Sequence, residues 1–93
     1  MNKYEILYII RGDIEDDQKA KVVEKYEQLV EKLGGTVDSK DIWGMKKFAY
    51  PINKKDEGYY VVSNITCSVE AQDEIKRQMG LDEKVVRSMF TRK

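Results

Sequence analysis

Ninety-three residues make one domain with one modest core, because a chain of this size buries only about two-thirds of the surface its unfolded form exposes; no separate catalytic domain fits. Lysine plus arginine balances aspartate plus glutamate at seventeen each, histidine is missing and cysteine occurs once, which removes the commonest general base and metal ligand near neutral pH and any internal disulfide. Lys3 and Glu5 flank a first apolar run, Ile6–Ile10, far shorter than a signal-peptide core or a bilayer span of roughly 20 residues, so a soluble chain in a reducing cytosol, away from membranes, is expected.

The first element, from Lys3 to Ile10, is dense in β-branched and aromatic side chains and reads as a central strand covered on both faces. Alternation puts Tyr4, Ile6, Tyr8 and Ile10 toward the core and Leu7 and Ile9 on the other face, which then needs a cover. From about Glu15, Ala20, Val23, Tyr26 (or Val22), Leu29, Val30 and Leu33 recur at three- and four-residue spacing and predict an amphipathic helix with acids in its first turn. Gly34 and Gly35 stop it.

Thr36 to Ile52 alternates again and holds the only proline, Pro51; a residue that cannot donate to a ladder belongs on an edge strand, with Gly44 as a bulge or bend. Asn53 to Gly58 supplies turn residues and Tyr59 to Cys67 the returning strand of a hairpin. Ser68 is a candidate N-cap for a helix presenting Ala71, Ile75 and Met79, stopped by Gly80, and Val85 to Thr91 is the last strand. Strand, helix, strand, strand, helix, strand with right-handed crossovers gives an α+β, ferredoxin-like βαββαβ fold. Its four-stranded antiparallel sheet has the first and third strands inside and both helices on one face.

The order of charges carries more than their sum. Asp13 to Glu31 holds seven acids against Lys19, Lys21 and Lys25, whereas Ile42 to Lys55 and Lys84 to Lys93 hold lysines and arginines without an acid. A polyanion is attracted to the latter segments and repelled by the former. Lys46 and Lys47 serve either as guards of an exposed edge or as point charges that position a phosphate backbone beside Gly44. Trp43 and Tyr50 serve either as core or as platforms for unpaired bases. Cys67, in a strand and without a neighbour that would activate it, reads as a packing residue. No phosphate loop, dinucleotide motif, metal cluster or converging pair of acids appears, so no enzyme, cofactor, metal or small-molecule substrate is expected.

Gly58-Tyr59-Tyr60-Val61-Val62, with Leu7-Tyr8-Ile9, is similar to the paired strand signatures of the RNA-recognition motif. An alternative reading is therefore a module for single-stranded RNA with Tyr8 and Tyr60 on the open sheet face.

The whole chain resembles the bacterial small-subunit ribosomal protein S six (S6) family. The resemblance rests on Tyr4-Glu5, Gly34-Gly35, the Trp43 to Ile52 block, Gly58-Tyr59, and Val85, Arg87 and Met89. It implies a non-catalytic ribosomal protein that binds 16S ribosomal RNA as a heterodimer with ribosomal protein S eighteen (S18) and supports assembly of the central domain and platform of the 30S subunit. Carried over by position, Lys3, Lys46, Lys47 and Arg87 are the RNA-contacting candidates. Leu7, Ile9, Trp43 and Met45 form the face and second-strand edge toward the partner. Where the family often has arginine, this chain has Lys46 and Lys47.

Overall fold

In the computed structural model, Met1–Lys93 are described except Asn53 and Lys54, and for residues 48–56 no side chain is described. Asn53 and Lys54 of the predicted turn Asn53–Gly58, and the side chains of Tyr50 and Pro51, thus lie outside the described residues. The elements follow as β1 (Asn2–Arg11), α1 (Asp16–Lys32), β2 (Thr36–Ile52), β3 (Lys55–Cys67), α2 (Val69–Leu81) and β4 (Val85–Arg92). They build one four-stranded sheet in the order β2-β3-β1-β4, with every neighbouring pair antiparallel. The expected ferredoxin-like architecture is thereby observed, β2 with its proline forming an edge.

Strand parity is as the sequence predicts. Tyr4, Ile6, Tyr8 and Ile10 of β1 join Val61, Ile65 and Cys67 of β3 in the core, closed by Val22, Val23, Tyr26 and Val30 of α1 and Ala71, Ile75 and Met79 of α2. Ile10, Val61, Cys67 and Ile75 are fully buried; an isoleucine so placed contributes about 2–3 kcal/mol relative to an exposed one. Burial also pushes the Cys67 thiol up, which keeps it in the unreactive protonated form. The rings of Tyr8 and Tyr26 meet edge to face, 6.0 Å between centroids.

Helix α2 begins at Ser68, whose Oγ accepts from the Ala71 amide at 3.1 Å, the predicted cap. Its end differs from the expectation. Gly80 lies inside the last turn, and the helix stops at Leu81 because Asp82 leaves the helical region (φ −86°, ψ 117°). Asp82 then gathers the Lys84 amide (2.9 Å), the Tyr26 hydroxyl (2.7 Å) and the Lys25 ammonium (3.2 Å) on its carboxylate, bonds unavailable to it within a helix. Strand β3 also starts earlier than predicted, at Lys55, because residues there pair with β2 beyond the end of β1.

Two irregularities position side chains for the surface. Between Ile42 and Gly44 the β2–β3 register slips by one residue at Trp43, and Gly44 takes φ +81°, a conformation glycine adopts without steric cost. Between Ile9 and Ile10 the β1–β4 register slips in the same way, so that Val85 faces Ile10 and Arg87 faces Ile9, with Val86 the extra residue.

Candidate nucleic-acid and partner interface

The register orders the sheet face that the helices leave open. Arg87, Ile9, Tyr60 and Gly44 form one row across the four strands, with the bulged Trp43 beside Gly44; Met89, Leu7, Val62 and Asp41 form the next; Thr91, Glu5, Asn64 and Ser39 the third. Arg11, Gly58 and Lys46 close the face at one end, and Lys3 and Thr66 lie at the other. An apolar belt therefore runs between a cationic end and a polar end.

Within the belt, Met89 is 55% and Trp43 48% exposed, whereas Ile9 is only 5% exposed. The expectation that both Leu7 and Ile9 await a cover is thus corrected for Ile9: the long side chains directly across from it, Tyr60 and Arg87, already shield it within the monomer. Leu7 is half-buried. Trp43 lies parallel to Tyr60, with 6.3 Å between centroids and 9° between planes. Its indole Nε1 donates to Asp41 at 3.2 Å, and the Lys46 ammonium stands 6.0 Å from its ring centre, a cation–π distance. The tryptophan is a surface feature held in place, not a core residue.

The four predicted RNA-contacting cations do not form one patch. Lys46 and Arg87 share the open face at its cationic end, on β2 and β4, roughly 16 Å apart, three strand spacings across and two residues along. Lys47 pairs with Glu57 on the helix side, as two adjacent strand residues must, on a two-stranded projection beyond the end of β1. Lys3 lies eight residues down β1 from Arg11, about 26 Å along the strand. Met45 likewise pairs with Tyr59 on the helix side, so of the four partner-face candidates Leu7, Ile9 and Trp43 share the open face and Met45 lies on the other.

Among the described residues all four cations are unneutralised, a property they share with Lys21, Lys32, Lys76, Lys84 and Arg92. Elsewhere ion pairs tie Arg11 to Asp13 (2.8 Å), Lys25 to Asp82 (3.2 Å), Lys40 to Glu27 (2.8 Å), Arg77 to Glu74 (2.7 Å) and Lys93 to Glu5 (3.6 Å). Among the described residues no carboxylate pairs with Lys3, Lys46, Lys47 or Arg87, and all four are exposed. Glu74 is drawn down to about 2 by its bonds from Arg77 and Gln78, and Arg11 is raised by Asp13. These pairs are self-satisfied and offer little to a polyanion.

Sequence reasoning missed Met89 as the most exposed apolar group of the open face. Its alternation with Arg87 was readable, but the slip at Val86 that turns both outward was not. The tyrosine pair of an RNA-recognition motif is not assembled, because Tyr8 is 1% exposed in the core while Tyr60 is on the opposite face. Among the described residues, no group of three or more histidine, cysteine, aspartate or glutamate residues could hold a metal ion, and no helix is long and apolar enough to cross a membrane.

Comparison with known proteins agrees with this architecture over nearly the whole chain. The family model described as Ribosomal protein S6 matches residues 3–92. The small ribosomal subunit protein bS6 of Cutibacterium acnes is 41% identical over 92 residues, covering 99% of this chain and 96% of the relative. That of Alkaliphilus metalliredigens is 37% identical, with 99% and 97% covered. Among solved structures, the 30S ribosomal protein S6 of Thermotoga maritima superposes with a TM-score of 0.93 at 27% identity, over 99% of this chain and 87% of that one. The chain belongs to the ribosomal protein S6 family, whose members are structural, non-enzymatic constituents of the small subunit of the bacterial ribosome in the cytoplasm.

Proposed function

We propose that this chain binds 16S ribosomal RNA as a heterodimer with ribosomal protein S18 and supports assembly of the central domain and platform of the small subunit. The observation that carries the reading is the set of exposed, unneutralised cations, Lys3, Lys46, Lys47 and Arg87, around an apolar belt that the chain's own helices do not cover. Those four are the RNA-contacting residues. Leu7, Trp43 and Met45, joined by Met89, form the surface toward the partner, with Ile9 buried beneath it.

The charge balance explains why a partner is needed. With lysine and arginine equal in number to aspartate and glutamate, the chain has few cations to give, and each phosphate neutralised adds a log-affinity slope of only about 0.9 against log salt. A more basic second protein supplies the remaining contacts. Filter-binding titrations of a 16S central-domain fragment with the chain alone and with the preformed heterodimer test this. The heterodimer is expected to bind far more tightly and with the steeper salt dependence, and equal affinities would reject the reading.

A further inference from the structure

Strand β2 exposes apolar side chains on both of its faces at once. Ile42 and Met45, 44% and 42% exposed, point to the helix side, and Trp43, 48% exposed, stacks on the open side. A protein resting on the open face would cover Trp43 and leave the other two in water. The sheet order explains the exposure: β2 is a terminal strand, and α1 does not reach over its centre. A groove of about 310 Å³ remains between them, lined by Ala20, Val23, Ile42 and Tyr59, with Glu24 and Glu27 on its helical wall and Lys40 opposite.

We propose that an extended, basic segment of the partner protein adds to the outer edge of β2 as a fifth strand, one apolar side chain entering this groove and a neighbouring lysine or arginine meeting Glu24. The inference deepens the heterodimer reading and rests on it. Only a strand in the plane of the sheet, whose successive side chains alternate, covers Ile42 and Trp43 together while pairing the unused amides and carbonyls of an edge. Charge selects the occupant. Lys40 is committed to Glu27 at 2.8 Å, which leaves Glu24 to give the groove a negative excess, and the exposed side of α1 continues it with Asp17 and Glu31. RNA is repelled from such a wall and a cationic peptide is attracted. The regular run Ser39–Ile42 and, beyond the bulge, Gly44–Met45 offer the pairing surface, which ends before Lys46 and Lys47.

Full-length chain and purified S18, mixed in calorimetric titrations, provide the test, with Ile42→Ser, Met45→Ser, Glu24→Lys and the open-face comparator Met89→Ser. All four positions are exposed or half-buried, and circular dichroism checks that each variant folds. Ile42→Ser and Met45→Ser are each expected to weaken binding about tenfold, Glu24→Lys to weaken it most at low salt, and the amide protons of β2 to exchange more slowly in the complex. Wild-type affinity for the Ile42 and Met45 variants, with loss confined to Met89→Ser, would show a face-docked partner and overturn strand addition. A stable homodimer of the chain alone in sedimentation would give the edge to a second copy instead. Failure of the wild-type chain to bind S18 at all would reject the heterodimer itself, and the added strand with it.

Discussion

Replacing Lys46 and Lys47 together by glutamine isolates the electrostatic contribution of the β2 edge. Glutamine is the better choice over glutamate because Glu57 stands directly across from Lys47, and two carboxylates there would repel and loosen the projection. If Lys3, Lys46, Lys47 and Arg87, all unneutralised, each meet one phosphate, the chain's own share of the log–log salt slope is about 3.6, falling to about 1.8 in the double variant. Between about 50 and 200 mM salt this share corresponds to a loss of affinity of about 150-fold for the wild type and about twelvefold for the variant. Because neither lysine forms an ion pair, and the losses are the cross-strand attraction of Lys47 to Glu57 and the Lys46–Trp43 contact at 6.0 Å, stability should change by no more than about 1 kcal/mol. The assay is heterodimer binding to the 16S fragment across a salt series, with a urea melt as control. An unchanged slope in a fully folded variant would refute the assignment of these lysines to RNA.

Three further outcomes follow from the fold. Tyr26→Phe removes the 2.7 Å hydroxyl bond to Asp82 and is expected to cost about 2 kcal/mol, the range for bonds to a charged group, measured by urea unfolding. Burial works to raise the Asp82 carboxyl, but the bonds from the Lys84 amide, Tyr26 and Lys25 prevail and hold it below the usual range. Its stabilisation is therefore complete above its unfolded value near about 4 and is lost as pH falls through the lower folded value; a wild-type acid melt no steeper than that of Asp82→Asn would contradict this. Gly35→Ala should destabilise more than Gly44→Ala in thermal melts. A Cβ at Gly35 would lie 2.8 Å from both the Cys67 Cβ and the Thr66 carbonyl, whereas at Gly44 nothing lies within 4 Å and only its positive φ is strained.

Much of this architecture was readable from spacing alone. The parity of β1, the cap at Ser68, the helical face of Ala71, Ile75 and Met79, and the edge position of the proline strand all follow from local rules that the tertiary structure does not override. Features fixed by distant groups were not readable. Gly80 looked like a helix stop, but the stop comes from Asp82, whose partners Tyr26 and Lys25 are more than fifty residues away. Lys19, an apparent surface residue of α1, is 6% exposed, its ammonium 5.6 Å from the Tyr59 ring centre and 3.3 Å from Asp16, because its aliphatic stem completes the packing against β3. The candidate site was legible as a list of cations but not as a geometry. Which lysines stay unneutralised depends on pairings such as Lys40 with Glu27, which sequence distance hides, and the opposite faces of Trp43 and Met45 depend on a single slip of register.

The extra residue at Val86 acts as a parity switch for the whole of β4. With strict alternation from the buried Val85, Arg87 and Met89 would point into the helical layer and Ser88 and Phe90 outward; the insertion inverts that order, so both the cation and the thioether reach the outside. Losing Val86 would therefore leave a regular ladder with Arg87 still opposite Ile9, whereas straightening the bulge with Val86 retained would pair Val86 with Ile9 and turn the strand inside out without unpairing it.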